Sequence, residues 1–135
     1  MEISTIKSNK EVDRKRIIPP KETYCEKNWM PIIDMPNHYV KWTIPTEIVK
    51  VCELSNKAET IKLVENNIDI PRDLRGGSQV ISYKDYFVCI THEVDLWYNE
   101  QNNKDSHYYH RFVVWDKDWN IVKISDVFKF MDAKI

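Results

Sequence analysis

The chain has 135 residues, a formal net charge of −1 and charged side chains of both signs mixed along its length. A chain of this size is typical of one domain, and it lacks the clustered basic face that nucleic-acid binding requires. No apolar run approaches the ~20 residues of a membrane-spanning helix, and the N-terminus has no basic-then-apolar signal pattern. We therefore expect a cytoplasmic location, and neither nucleic acid nor membrane as a partner.

The first 23 residues are rich in charged side chains and only weakly periodic. Pro19 and Pro20 fix the backbone and remove two backbone donors, which excludes a helix at that point. The basic run Arg14–Arg16 lies among acidic neighbours, a pattern more typical of a solvated arm than of a phosphate site. We predict a polar N-terminal arm over residues 1–23 with at most one irregular strand.

From Tyr24 onward the sequence changes to short strand-like runs separated by turn residues. One run places Val40, Trp42 and Ile44 on one face. The segment 87–90 is apolar on both faces, as in a strand between packed layers. The predicted strands form two successive sets, 28–33, 39–44, 47–54 and 60–64, then 78–82, 86–96, 108–115 and 119–124.

The two sets begin about fifty residues apart, and a third begins near Phe128. Four-stranded antiparallel units repeated every ~40–50 residues are typical of propeller blades. We predict an all-β fold in which residues 24–135 form a partial β-propeller of two four-stranded antiparallel blades and a stub. An immunoglobulin-like sandwich, which also uses seven or eight short strands, is the alternative.

A partial propeller has surfaces that a closed one does not expose. Propellers close with about four to eight blades, so two blades and a stub leave strand edges and a hydrophobic blade face uncovered. We therefore expect a truncated product, half of a split protein or a self-associating unit. Its expected protein partner is a second copy or a complementary propeller fragment.

Four segments are richer in functional side chains than their surroundings: 26–29, 75–79, 91–94 and 108–112. The first two open the two predicted blades, where the first strand of a propeller blade lines the central channel. Arg75 precedes the only two glycines of the chain, which permit close backbone approach. Its guanidinium suits a carboxylate, a phosphate or a sugar hydroxyl, although a surface arginine at a turn explains the same residues.

Titratable residues elsewhere do not form a recognisable reactive centre. His92 and Glu93 are neighbours on a predicted strand, so they point to opposite faces. Glu26, Asp73, Glu93 and Asp95 are of the type that glycoside hydrolysis requires, but their spacing brings no two together. The three cysteines are widely spaced without a C-x-x-C unit, which gives zinc and redox sites no support. We predict no metal and no cofactor, and the sequence identifies no catalytic residue.

The same segments resemble a known group of proteins. The strings EKNWMPI at 26–32, RGGSQVI at 75–81, THEV at 91–94, YYHRFVVWD at 108–116 and KISDVFKF at 123–130 are similar to five-bladed β-propeller proteins related to mannoside phosphorylases and glycosidases. Similar segments occur in uncharacterised bacterial proteins and in giant DNA viruses, often beside glycosyltransferase modules. The resemblance implies a sugar-related context and ligand contact at or beside the matching positions, namely Asn28, Trp29, Arg75, Gly76, Ser78, His92 and Glu93.

Two hypotheses for function follow. The first is a carbohydrate-related propeller fragment that binds or processes a glycosyl group, with a glycan or a sugar phosphate as ligand. The second is a non-enzymatic remnant or interaction module that pairs through exposed blade edges. Ligand binding at the blade openings distinguishes the first from the second.

Overall fold

The computed structural model describes residues 1–21 and 27–130, and all regular secondary structure within those ranges is β-strand. The predicted all-β fold with antiparallel sheets is confirmed. No helix in the described ranges is long and apolar enough to span a membrane. The strands are β1 Glu2–Lys7, β2 Lys10–Arg16, β3 Met30–Pro31, β4 His38–Trp42, β5 Thr46–Val51, β6 Ala58–Val64, β7 Arg75–Gly76, β8 Ile81–Tyr83, β9 Tyr86–Tyr98, β10 Lys104–Trp115 and β11 Ile121–Ile124.

The N-terminal arm is a two-stranded antiparallel hairpin of β1 and β2, whose side chains are almost all exposed. Ser8 and Asn9 connect the strands with positive φ angles of 51° and 61°, the conformation that matches the twist of a two-residue hairpin. The prediction of at most one irregular strand is wrong. Polar strands pair through their backbones, and side-chain hydrophobicity does not reveal such pairing.

The first sheet has the strand order β3-β4-β5-β6 and follows the first predicted set in chain order. Each strand is antiparallel to the next. The register shifts between Val40 and Trp42 where β4 pairs with β5, and between Ile48 and Val49 where β5 pairs with β6. Such bulges twist the sheet and redirect the side chains that follow them.

The second sheet has the order β11-β10-β9, and both β7 and β8 pair with the other edge of β9. The hairpin of β9 and β10 is closed by Asn99, whose side chain accepts hydrogen bonds from the backbone N–H groups of Gln101 and Asn103, both at 3.0 Å. Because β10 already begins at Lys104, the predicted polar loop 99–106 is shorter than expected.

The segment after β11 extends the second sheet. Phe128 forms an antiparallel bridge with His110 on β10, with N···O distances of 2.8 and 2.9 Å. Because β11 ends at Ile124, the backbone groups of His110 are open to another segment, and buried backbone groups are nearly always paired. Within the described residues, the predicted third set near Phe128 is therefore absent.

The main core lies between the two sheets. Trp115 is fully buried and its Nε1 donates a hydrogen bond to Thr46 Oγ1 of the first sheet at 3.0 Å. Asn66 also joins the two parts, because its Nδ2 donates to Thr46 Oγ1 at 2.7 Å and to the Trp119 carbonyl at 2.9 Å. The buried residues of this core are Met30, Ile32, Val40, Ile48, Leu74, Val80, Phe87, Cys89, Val113, Trp115 and Trp119.

A smaller core covers the opposite face of the first sheet. Val49, Val51 and Ala58 contact Ile17, which follows β2 and is buried. The next residue, Ile18, accepts a backbone hydrogen bond from Ala58 at 2.8 Å. The N-terminal arm is thus attached to the first sheet by both packing and backbone pairing. The partly buried residues that pack against this core are Met1, Ile3, Trp29 and Tyr39.

Candidate functional site

A cavity of about 300 Å³ lies where the first strands of the two sheets meet. Asn28 precedes β3, and Arg75 and Gly76 form β7, so three residues of the predicted ligand-binding set line this cavity. The two segments that the sequence placed at the blade openings are thus brought together. The described lining residues are Lys27, Asn28, Met30, Lys41, Trp42, Thr43, Leu74, Arg75 and Gly76.

The two segments meet because the chain after β3 runs parallel to the chain before β8. Ile32 and Val80 form a parallel bridge. The N–H of Val80 donates to the Pro31 carbonyl at 2.8 Å, and the N–H of Ile33 donates to the Val80 carbonyl at 3.0 Å. Both Ile32 and Val80 are buried, so backbone pairing and packing together fix the relation of the two walls.

Gly76 is required by the close approach of the two segments. A Cβ at this position would overlap the Asn28 carbonyl oxygen and lie 2.8 Å from Met30 Cγ. Asn28 has a φ of 65°, a left-handed conformation that asparagine adopts more readily than most residues. The sequence correctly marked Gly76 as a point of close approach, and the group that approaches it is the backbone of Asn28.

The described wall of the cavity has a positive charge. Its charged lining residues are Lys27, Lys41 and Arg75, and no carboxylate of the described residues lines it. Lys41 Nζ lies 4.0 Å from Glu47 Oε2, which is the long end of ion-pair distances. Cationic groups gathered around a concave, partly desolvated surface attract an anion.

The hydroxyl of Thr43 is a buried polar group in the same wall. Thr43 is 1% exposed, and its Oγ1 has no hydrogen-bond partner in the described part of the chain. A buried hydroxyl without a partner costs about 1–3 kcal/mol, and such groups are few in folded proteins. A ligand that bonds to Thr43 would recover this free energy, and the neighbouring Trp42, 40% exposed, presents aromatic surface beside it.

His92 lies opposite Arg75 in the pairing of β7 with β9, but it is not one of the residues lining the cavity. Burial lowers the pKa of its imidazole, and a hydrogen bond with the Gly76 backbone opposes this shift only in part. The charges of Arg75, His110 and Lys27 lower the pKa further. His92 is therefore a neutral neighbour of the cavity rather than one of its cations.

Glu93 points to the opposite face of β9, as expected for neighbouring residues of a strand, and is fully buried. It forms an ion pair with Arg111 Nε, and Arg72 Nε lies 3.2 Å from its Oε2. The Arg72 contact has an ion-pair distance without hydrogen-bond geometry, so both atoms lack a hydrogen bond among the residues described. The structure thus places Glu93 in a buried charge cluster outside the cavity.

Ser78 and Trp29 also lie outside the cavity. The Ser78 hydroxyl donates to the Gln79 carbonyl at 2.8 Å and accepts from the Ile90 N–H at 2.8 Å. These two hydrogen bonds hold the irregular segment between β7 and β8, so the regular strand begins at Ile81 and not at residue 78 as predicted. Trp29 packs against the smaller core, with its ring centroid 6.1 Å from that of Tyr39.

None of the described candidate acids lines the cavity. Asp73 is exposed, and Asp95 Oδ1 lies 3.5 Å from Arg72 Nε beside the Glu93 cluster. Glu26 lies outside the described residues. Among the residues that the structure describes, no group of three His, Cys, Asp or Glu side chains is arranged to hold a metal ion.

Several lining residues were not predicted as site residues, most importantly Lys41, Trp42 and Thr43. Strict alternation would place Trp42 on the face opposite Lys41 and Thr43, yet all three line the cavity. The register shift between Val40 and Trp42 explains the difference, because a bulge redirects side chains locally. A pattern of period two does not reveal this bulge.

Comparison of the chain with models of protein families, with curated proteins and with solved structures found no match.

Proposed function

We propose that this protein binds a negatively charged glycosyl ligand, a sugar phosphate, in the cavity between the first strands of its two sheets. The observation that supports the proposal is the lining itself. Lys27, Lys41 and Arg75 surround about 300 Å³, and no described carboxylate lines it. This volume is at the lower end of the range of small-molecule sites, which suits a ligand the size of a monosaccharide.

Each part of such a ligand has a matching group in the wall. The planar guanidinium of Arg75 suits two phosphate oxygens at once, and Lys41 supplies a second charge. The indole of Trp42 offers an aromatic face for the apolar side of a sugar ring. The buried Thr43 hydroxyl is available for a sugar hydroxyl or a phosphate oxygen. Because the described wall has no pair of carboxylates, the proposal is binding and not glycosidic cleavage.

The proposal extends to the architecture. We infer that the two sheets are consecutive blades of a propeller-type protein similar to the five-bladed group. Three observations support this: the antiparallel order within each sheet, the face-to-face core between them, and the parallel bridge of Ile32 with Val80 beside the two first strands. Parallel first strands around a shared channel are expected of neighbouring blades, and the cavity lies at that place.

Titration calorimetry with mannose 1-phosphate, mannose and inorganic phosphate tests the proposed function. We expect mannose 1-phosphate to bind and mannose to bind at least about tenfold more weakly, since a charge-assisted hydrogen bond contributes about 1.5–3 kcal/mol. Arg75→Gln should weaken the binding of mannose 1-phosphate by a similar factor. The control is Lys10→Gln, an exposed residue of the N-terminal hairpin.

Three calorimetric outcomes would contradict the proposal in whole or in part. If the wild-type protein binds none of the three compounds, or if Arg75→Gln and Lys10→Gln behave alike, the cavity is not the site proposed. If inorganic phosphate binds as well as mannose 1-phosphate, the cavity recognises the anion and the sugar part of the proposal is wrong.

A further inference from the structure

Arg75, His92 and His110 form a row of basic side chains across the outward face of the second sheet, the face that points away from the main core. Arg75 lies opposite His92 in the pairing of β7 with β9, and His110 lies opposite His92 in the pairing of β10 with β9. Side chains at directly opposed positions share a face and have Cβ atoms about 4.5–5.5 Å apart. This basic row therefore leads from the cavity wall, at Arg75, towards the middle of the sheet.

His92 is joined to the cavity wall by a hydrogen bond. Its imidazole bonds to the backbone of Gly76, which lines the cavity beside Arg75. A neutral imidazole has one N–H donor and one acceptor nitrogen, so the nitrogen that donates to the Gly76 carbonyl carries the proton and the other nitrogen can accept a second one. The ring of His92 is thus held next to the wall in a form that can take up a proton.

The charged and titratable groups that face His92 in the described part of the chain come from three elements. Burial is the largest cause of the lowered pKa of His92, and positive charges on three neighbours lower it further, namely Arg75 on β7, His110 on β10 and Lys27 before β3. Tyr108 on β10 has its ring centroid 6.2 Å from that of His92. None of these neighbours is a carboxylate, so an anion in the cavity would supply the opposite charge that favours a protonated His92.

The geometry of the basic row selects His92 over His110 as the group that responds to the cavity. His92 is one strand spacing from Arg75, about 4.8 Å, and His110 is about twice as far away. The ring of His110 also packs against Phe128 and Phe130, with centroid distances of 5.8 and 4.7 Å. Because the energy between two charges falls with distance, a charge placed at Arg75 acts most strongly on His92.

We propose that the binding of an anion at Arg75 is coupled to the uptake of one proton by His92, so that the cavity binds its ligand more tightly as the pH falls. The proposal rests on the anionic ligand of the proposed function, and it adds that the anionic group lies at the end of the cavity formed by Lys27 and Arg75. A negative charge there offsets the two positive charges that oppose protonation of His92. Since coupling between two binding events is reciprocal, the proton in turn strengthens the binding of the ligand.

An NMR titration of the histidine rings measures this coupling at the residue itself. The chain has four histidines, so single variants assign their resonances. Saturating mannose 1-phosphate should raise the pKa of His92 and increase its proton affinity about tenfold, a usual coupling factor. His38 and His107 lie outside the basic row and should titrate alike with and without the ligand. An unchanged or lowered pKa of His92 in the ligand-bound protein would overturn the coupling.

Titration calorimetry at several pH values measures the same coupling from the side of the ligand. The affinity of the wild type for mannose 1-phosphate, divided by that of His92→Asn, should increase about tenfold between about pH 8 and 5.5. This ratio removes the ionisation of the phosphate group, which affects both proteins alike. The asparagine amide can still donate to the Gly76 carbonyl. For the control His107→Asn, the corresponding ratio should not change with pH.

The results of these two experiments separate the coupling from the proposed function. If mannose 1-phosphate binds the wild-type protein at no pH, both proposals are wrong. If it binds but the ratio for His92→Asn stays constant or decreases as the pH falls, only the coupling is wrong. Circular dichroism shows whether His92→Asn is folded, and if it is not, the titration of His92 in the wild-type protein decides the question alone.

Discussion

At the residue scale, the same strand places two neighbouring residues in opposite environments. His92 lies beside the cavity, while Glu93 is fully buried among guanidinium groups on the other face of β9. A buried carboxylate is tolerated when it is paired, and it becomes strongly destabilising when a partner is removed. The role supported for Glu93 is therefore structural, and a measurement of the free energy of unfolding tests it directly.

We predict that Arg111→Gln destabilises the protein by about 3 kcal/mol, because it leaves a buried charge with a poorer partner. The matched control is Arg14→Gln, which removes an exposed ion pair between Arg14 Nε and Glu11 Oε1 at 2.8 Å. Exposed pairs contribute less than about 1 kcal/mol. Urea unfolding monitored by tryptophan fluorescence measures both changes, and equal losses would contradict the structural role of the Glu93 cluster.

A second residue-scale prediction concerns Gly76. Gly76→Ala should cost about 1–3 kcal/mol of unfolding free energy, because the added methyl meets the Asn28 backbone and not a flexible side chain. The nearby exposed residue Gln79 offers a control, and Gln79→Ala should change the stability by less than about 0.5 kcal/mol. Urea unfolding of both variants is the measurement. An unaltered stability for Gly76→Ala would show that the two segments do not approach as described.

The third residue-scale prediction is a pH dependence. The pKa of His92 is lowered below 6.5, mainly by burial, so the unfolded chain takes up the proton at a higher pH than the folded one. The resulting stability is present above pH 6.5 and falls as the pH decreases through that value. His92→Asn should make this loss shallower between about pH 7.5 and 5.5. Thermal unfolding across that range measures the slope, and an unchanged slope would contradict the assignment.

At the element scale, strand rhythm predicted the two sheets well because their apolar residues alternate and their turns are marked by polar residues. The double-sided apolar run at 87–90 became part of β9 in the middle of the second sheet. The hairpin of β1 and β2 could not be predicted in this way, because its residues are nearly all exposed. The start of β8 at Ile81, and not at residue 78 as predicted, depends on the Ser78 hydroxyl, a contact that no local pattern contains.

The candidate site was predictable only in part. Gly76 was marked by its residue type and Arg75 by its guanidinium, whereas Asn28 was named through the resemblance, and the backbone reasons for Gly76 and Asn28 became visible only in the structure. Lys41 and Thr43 were missed as site residues because a bulge at Val40 reorganises that part of β4. Bulges depend on the pairing partner as well as on the local sequence.

An element-scale prediction concerns the attachment of the N-terminal arm. Ile17 is 3% exposed against Val49, Val51 and Ala58. Ile17→Ala should destabilise the protein by about 2–4 kcal/mol, the usual cost of truncating a buried aliphatic side chain. It should also increase hydrogen exchange in the hairpin, while the exposed control Val12→Ala should do neither. Protection in the hairpin that equals that of the wild type would show that Ile17 does not anchor it.

At the scale of the whole molecule, two sheets stacked through one core create two different surfaces. The junction of their first strands encloses a cationic cavity, and the outward face of the second sheet remains apolar among the described residues. The first surface is the proposed site for a small anionic ligand.

The most direct test of the central claim is a titration of the ¹⁵N-labelled protein with mannose 1-phosphate, followed by NMR. Binding in the cavity should shift the Trp42 indole resonance and the Thr43 and Gly76 amide resonances in a saturable way. The indole of Trp97, which stacks on His107 near the end of the long hairpin, should not move. Saturable shifts confined to other parts of the molecule, or no shifts at all, would contradict the claim that this cavity is the ligand site.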